Sequence, residues 1–270
     1  TTEIYTLSLH DALPIYLHTL SWDDELLEFF GIPKSVLPEI KRCDDLFGYF
    51  TYEGRNIPVT GVLGDQQAAL YGQDCLTIGS GKITYGTGLF MLYCTGNEIA
   101  DSKSALSTVG FADKNGVAYA LEGSVFNAGS AVQWLRDGLG LFENSADTEE
   151  MAKSVPDTGG VYVVPAFTGL GAPYWRGDVT GLITGITRGT NKNHITRAVL
   201  ESIAYSAKAV FCAIARDCGI AGEEQQSRRT LPVLGHRSPL SARKVSTSSA
   251  VGMETPAPAR LTARVETAVA

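Results

Sequence analysis

Two runs of β-branched and aromatic residues flank a Gly-Thr-Gly turn in this chain, and this arrangement limits the fold more than any other feature. The run Lys-Ile-Thr-Tyr at 82–85 precedes the turn, and Leu-Phe-Met-Leu-Tyr at 89–93 follows it. Such residues favour strands, so the segment predicts a two-stranded hairpin. Glycines let backbone N–H groups approach an anion closely, and Thr87 adds a hydroxyl donor. The turn is therefore a candidate phosphate loop, although an ordinary turn has the same pattern.

The Ser-Gly-Lys sequence just before this hairpin does not make a Walker loop. Leu76 stands where that motif needs its first glycine, and Ile83 follows the lysine in place of Ser or Thr. The chain is therefore not predicted to be a P-loop protein.

Asp65 lies where a predicted buried strand at 57–63 gives way to a predicted helix at 66–73. Aspartate is a preferred helix N-cap, and a carboxylate at this place can also accept a hydroxyl proton. Both roles can coexist. A proton acceptor close in sequence to a phosphate loop is the minimum equipment for phosphoryl transfer.

Several separated blocks of sequence resemble the glycerol kinases, a branch of the FGGY family of carbohydrate kinases, and the similarity runs from about 17 to about 221. The blocks are Gly-Asp-Gln-Gln-Ala-Ala-Leu at 64–70, Thr-Tyr-Gly-Thr-Gly at 84–88, Leu-Glu-Gly-Ser-Val-Phe at 121–126, Gln-Trp-Leu-Arg-Asp-Gly at 133–138, 161–170 with 172–175, and 197–205. The first two blocks favour glycerol over pentuloses or gluconate as the acceptor. The resemblance implies an α/β fold: an actin-like ATPase (ribonuclease H-like) domain with a mixed sheet and flanking helices, incomplete in this chain.

The resemblance also implies a role for each matching residue, with ATP as phosphate donor and Mg²⁺ as its ion. Asp65 would be the general base on glycerol, Gln66 would bond the same substrate, and Phe90 would pack against its carbon chain. The ATP-binding residues would be Thr87, Gly88, Gly129 and Gln133. No residue of this chain is assigned as a metal ligand.

Composition excludes several other classes of function. A net charge of −7 gives no reason to expect nucleic acid or an anionic membrane as a partner, and we expect no membrane span. Five cysteines without a Cys-x-x-Cys pair indicate reduced thiols in the cytoplasm. The histidines lack metal-ligand spacing, and His194 is expected to have a surface or capping role near the start of a helix. Assembly of the intact enzyme into a homo-oligomer stays open.

The coarse pattern predicts interleaved strands and helices around a five-stranded core sheet. Strands are expected at 57–63, 82–85, 88–94, 106–112, 117–121 and 161–164, and helices at 23–30, 66–73, 126–138, 147–154 and 194–218. Asp-Lys-Asn-Gly at 113–116 predicts a hairpin turn.

We expect four regions along the chain: an unrelated segment at 1–15, the end of a first kinase domain at 16–56, a truncated second domain at 57–224, and a tail at 225–270. The tail has no Phe, Tyr, Trp, Cys or Ile and carries seven Lys and Arg against two Glu. It is expected to be disordered, either as a basic tail or as the product of a frame shift. Because catalysis by positioning needs both walls of a cleft, the chain by itself is expected to lack kinase activity.

Two alternatives remain open at this point. One is a kinase of the same family that acts on another small polyol or sugar. The other is a non-catalytic, actin-like binding fragment that uses the basic tail as its contact surface.

Overall fold

The computed structural model of the chain describes residues 7–8, 15–219 and 263–267. Within these ranges the strands are β1 (Leu7–Ser8), β2 (Ile15–Tyr16), β3 (Ser21–Trp22), β4 (Ile40–Lys41), β5 (Gly48–Tyr52), β6 (Arg55–Val59), β7 (Gly81–Tyr85), β8 (Leu89–Gly96), β9 (Leu106–Asp113), β10 (Gly116–Val125), β11 (Tyr162–Val164), β12 (Leu182–Thr184) and β13 (Ala263–Thr267). The helices are α1 (Asp24–Phe30), α2 (Asp65–Gly72), α3 (Gly129–Gln133), α4 (Asp147–Lys153) and α5 (Lys192–Asp217), with a 3₁₀ turn at Lys34–Val36 and a π-helical turn at Trp134–Gly138.

A five-stranded sheet with the order β13-β7-β8-β10-β9 is the centre of the fold. Its neighbouring strands are antiparallel except for β13, which pairs in parallel with β7. The predicted hairpin around 86–88 is confirmed, because β7 and β8 pair up to Tyr85 and Leu89. The predicted turn at 113–116 is confirmed as well, since Gly116 pairs with Asp113. The mixed α/β architecture is therefore the predicted one.

One face of the sheet forms the main core with α5. Leu89, Met91 and Leu121 on this face pack with Val210 and Ile214 of the helix. Each large apolar side chain that is fully buried contributes about 1.5–3 kcal/mol. This contact fixes the long helix across the back of β8 and β10.

The opposite face of the sheet carries α2. Leu70 of the helix packs with Leu92 of β8 and Ala120 of β10. Lys82 and Thr84 of β7 lie on this same face, because side chains alternate along a strand and these two residues pair with Leu92 and Phe90. The start of α2 is thereby held beside β7.

α5 is the one helix of the described residues that is long and apolar enough to cross a membrane. This indication rests only on the length and composition of the helix, and the core helix of a soluble protein has the same properties. Asn191 caps its start, and the ring of His194 completes the capping box. The capping role predicted for His194 is confirmed.

Two predicted elements are wrong at their boundaries. The strand predicted to be buried at 57–63 is exposed from 55 to 58 and ends at Val59, because β6 pairs only with the short strand β5 and this ladder stops at Gly48. The helix predicted at 126–138 begins only at Gly129, since Ala128 has a non-helical backbone with φ −128° and ψ −86°. Both regions therefore reach the candidate site as irregular backbone.

The disorder predicted for 225–270 does not hold for Ala263–Thr267, which form β13 at the edge of the central sheet. Main-chain hydrogen bonding to the open edge of β7 explains how a segment with few large apolar residues can pair there. The remaining residues of that tail, and residues 1–6 and 9–14 of the segment predicted to be unrelated, lie outside the described residues.

Candidate active site

The turn between β7 and β8 is closed by a hydrogen bond from the Gly86 N–H to the Gly88 carbonyl oxygen, at 2.8 Å. A Cβ atom on Gly88 would lie 2.7 Å from the carbonyl oxygen of Val125, so a side chain does not fit there. Thr87 is exposed at the tip, and no described residue bonds to its hydroxyl. The predicted phosphate loop therefore presents a hydroxyl to any ligand that reaches it.

This loop is bound directly to the start of α3. The N–H groups of Ala128 and Ser130 both donate to the Thr87 carbonyl oxygen, each at 3.0 Å, and the Gly129 N–H donates to that of Gly86 at 2.9 Å. A Cβ atom on Gly129 would lie 2.5 Å from the same Gly86 oxygen. Gly129 is needed for this close approach, and it joins the loop and the helix in one unit.

Gln133 lies one turn further along α3, four residues after Gly129, with an exposed side chain. Residues four apart lie on the same side of a helix. The structure thus brings together Thr87, Gly88, Gly129 and Gln133, the four residues predicted to bind ATP.

Phe90 is half-buried on β8, where it pairs with Thr84 of β7 and with Ser124 of β10. Its ring would lie 3.4 Å from a Cβ atom on Gly88. The side chain is therefore an apolar wall directly beside the phosphate loop.

Asp65 is the first residue of α2, and Gly64 holds the N-cap position. The N-cap role considered for Asp65 is therefore wrong, because its backbone is already helical. Its Oδ1 atom accepts a hydrogen bond from the Gln66 backbone N–H at 2.8 Å, and its Oδ2 atom accepts one from the Gln66 side-chain amide at 3.2 Å. The carboxylate is exposed and is oriented by its neighbour.

Lys82 connects this part of the site to β7, and the sequence reasoning missed it. The side chain is fully buried, and its ammonium group donates to Gln66 Oε1 and to Thr84 Oγ1, the latter at 2.9 Å. Thr84 comes three residues before Thr87 in the same hairpin. Alternation along β7 places position 82 on one face of the strand, but the contact of α2 with that face is a tertiary feature that the sequence pattern does not show.

Tyr85 lies between these residues in sequence but on the other face of the sheet, where it packs against the α5 core. Burial raises the pKa of its hydroxyl above the usual range. Tyr85 is therefore a neutral packing residue, although it stands in the middle of the loop motif.

An apolar cavity of about 630 Å³ opens next to α3. Its lining residues are Trp134, Val163, Val164, Phe167, Gly181, Leu182 and Ile183. This volume is in the range of small-molecule pockets. Neither this cavity nor a much smaller one beside Phe126 and Gly171 is lined by Asp65 or Thr87. The link between the start of α2 and the hairpin is the hydrogen bond from Lys82 of β7 to Gln66, the neighbour of Asp65.

The described residues do not form a metal site of their own. No group of three or more His, Cys, Asp or Glu within them comes close enough to hold an ion. The described residues therefore do not provide a cluster of carboxylates that could bind the Mg²⁺ implied by the resemblance.

Comparison with known protein families decides the class of this fold. The model of the C-terminal domain of the FGGY family of carbohydrate kinases matches residues 81–235, and the model of the N-terminal domain matches 12–72. The chain belongs to the FGGY family of carbohydrate kinases. The first match contains the phosphate loop and α3, and the second contains Asp65. The division between domains at residue 57 stays a prediction.

Individual FGGY kinases are similar over most of this chain. The glycerol kinase of Halothermothrix orenii is 53% identical over 208 residues, which are 76% of this chain and 42% of that enzyme. The glycerol kinase of Bacillus cereus strain G9842 is 51% identical over 213 residues, 77% of this chain and 43% of that enzyme. The crystal structure of Plasmodium falciparum glycerol kinase with ADP has 37% identity and a TM-score of 0.70, covering 79% of this chain and 44% of that one.

These similarities confirm the predicted actin-like, ribonuclease H-like fold and the resemblance to glycerol kinases. The chain spans less than half the length of the curated relatives that it matches.

Proposed function

We propose that this chain is part of a glycerol kinase, which transfers the γ-phosphate of ATP to glycerol and yields sn-glycerol 3-phosphate and ADP. The observation that carries the proposal is the hydrogen-bonded unit of the phosphate loop and α3, in a chain 53% identical to a glycerol kinase. Phosphoryl transfer is catalysed mainly by positioning and by stabilising charge. The loop bound to α3 would position the phosphates, and the Asp65 carboxylate would accept the proton.

In the proposed reaction, a glycerol hydroxyl oxygen attacks the γ-phosphorus while the bond to the bridging β–γ oxygen breaks. The Asp65 carboxylate accepts the hydroxyl proton, and ADP leaves with the bonding electron pair. Gln66 and Phe90 hold the glycerol, one by its amide and the other by its apolar ring. Thr87 and Gly88 bind the phosphates, and Gly129 with Gln133 lies along the nucleotide.

Mg²⁺ bound by the phosphate oxygens would neutralise their charge, as is usual where the protein supplies few ligands.

We propose the cytoplasm as the compartment, because all five cysteines are free thiols in the structure. Assembly into a homo-oligomer is a further proposal, which light scattering of the purified protein can test.

The test is a coupled ADP-release assay on a chimera that keeps residues 15–219 of this chain and takes the rest of its length from the Halothermothrix orenii enzyme. We expect turnover with glycerol and much slower turnover with xylulose or gluconate. Preferred turnover of one of those sugars would assign a different acceptor. Absence of turnover with every acceptor would favour a non-catalytic binding role.

A further inference from the structure

The buried ammonium group of Lys82 has a specific geometric consequence for the candidate base. The side chain is fully removed from solvent, and a buried charge needs hydrogen-bond acceptors within reach. Thr84 Oγ1 is one acceptor at 2.9 Å, and Gln66 Oε1 is another. Thr84 lies on the same strand as Lys82, so this bond holds the ammonium group at a fixed place along β7.

The contact with Lys82 sets the orientation of the Gln66 amide. An ammonium group only donates hydrogen bonds, so it faces the amide oxygen and never the amide nitrogen. The Gln66 Nε2 group must then point the other way, where it donates to Asp65 Oδ2 at 3.2 Å. A carboxylate only accepts, so the three side chains form a directed series from Lys82 through Gln66 to Asp65.

We propose that Lys82 is a positioning residue for phosphoryl transfer: it fixes the Gln66 amide and, through that amide, the orientation of the Asp65 carboxylate. The proposal rests on the role proposed above for Asp65 and Gln66. Lys82 itself lies behind Gln66, on the sheet, and touches neither substrate. Without it, the amide oxygen loses its donor on β7, and the Gln66 side chain is free to turn away from the carboxylate.

The orientation can be measured without any catalysis, by ¹⁵N NMR of the Gln66 side-chain amide in the 270-residue chain. In the wild type we expect Asp65→Asn to shift the Gln66 Nε2 signal. In a Lys82→Met background the same substitution should leave the signal nearly unchanged, because the amide no longer points at position 65. Lys103→Met places the same substitution on an exposed lysine and should preserve the wild-type response.

An equal response to Asp65→Asn in the wild type and in Lys82→Met would overturn the proposal. Should Lys82→Met fail to fold, Lys82→Gln serves in its place, because its amide N–H still donates to Gln66. In the Lys82→Gln background, Asp65→Asn should still shift the Gln66 Nε2 signal. Loss of that shift in a folded Lys82→Gln protein would also count against the proposal.

Kinetics of the chimera give an independent readout. Lys82→Met should lower kcat/KM for glycerol by about 100-fold, the effect of a small misplacement of a reacting group, while the affinity for ADP stays as in the wild type. Gln66→Leu should have a similar effect, and the double variant should lose no more than either single one. Additive losses, or an equal fall in ADP affinity, would show a general structural role instead. If the wild-type chimera does not phosphorylate glycerol, the proposed function fails, and the NMR comparison still decides the role of Lys82.

Discussion

The Gly129 N–H donates to the Gly86 carbonyl oxygen at 2.9 Å, which joins the start of α3 to the loop between β7 and β8. The two segments are more than forty residues apart in sequence. Their contact joins the hairpin loop and the start of the helix in one surface, and the proposed nucleotide site depends on it.

Gly129→Ala tests this contact. The new Cβ atom would lie 2.5 Å from the Gly86 oxygen, so the loop and helix must separate. We expect the free energy of unfolding to fall by about 1–3 kcal/mol and the affinity for ADP to fall with it, measured by urea denaturation and calorimetry. Gly177→Ala is the matched control, since a Cβ atom there meets nothing within 4 Å. Unchanged ADP affinity in a destabilised Gly129→Ala protein would show that the loop does not contribute to nucleotide binding.

Gly123→Ala tests the packing between the sheet and α5. An added Cβ atom at this position collides with Val210, whose side chain fills the space above β10. We expect a loss of about 1–3 kcal/mol in the free energy of unfolding, the usual effect of overpacking a core. Val210→Ala should recover part of that loss in the double variant, because it removes the colliding methyl groups. Additive losses would mean that the two residues do not share this contact.

The prediction of fold and site from sequence succeeded where a pattern is local. The hairpins at 86–88 and 113–116 follow from turn residues between strand-forming runs, and the helix predicted at 194–218 is found as α5. The strand at 57–63 was overpredicted, because strand propensity does not reveal that the partner β5 begins only at Gly48, opposite Val59. The pairing of β13 with β7 also has no local signal in sequence.

The role of Lys82 could not be predicted for a related reason. A lysine in a strand is usually solvated, and its burial becomes visible only when α2 covers that face of β7. The loop residues were recognisable one by one, whereas the contact of Gly129 with Gly86 depends on the tertiary fold.

The Asp217 carboxyl is expected to make the free energy of unfolding depend on pH in the acid range. Desolvation, the largest single influence, raises the pKa of this carboxyl, but hydrogen bonds from Ser102, Ser104 and Arg216 together hold it below its ordinary value. The bond from Ser102 is 2.6 Å long and ties the end of α5 to the loop before β9. A folded-state pKa below the unfolded one gives stability that is present above the unfolded pKa, about 3.9, and is lost as the pH falls through the folded value.

Asp217→Asn should therefore lower stability near neutral pH and flatten its decline below about pH 4. Urea denaturation of both proteins between neutral pH and strong acid measures the two slopes. Parallel declines would show that the Asp217 carboxyl does not contribute to the acid sensitivity.

Asp65 is the residue proposed to accept the proton of the phosphorylated hydroxyl, and Asp65→Asn in the chimera tests this role most directly. Asparagine keeps the shape of the side chain but is a far weaker base. We expect kcat with glycerol to fall by about 10²–10⁴-fold, the usual contribution of a general base, while ADP affinity is retained. Asp74→Asn, in the turn just after α2, is the matched control and should keep wild-type kcat. An Asp65→Asn enzyme with the same kcat as that control would contradict the account.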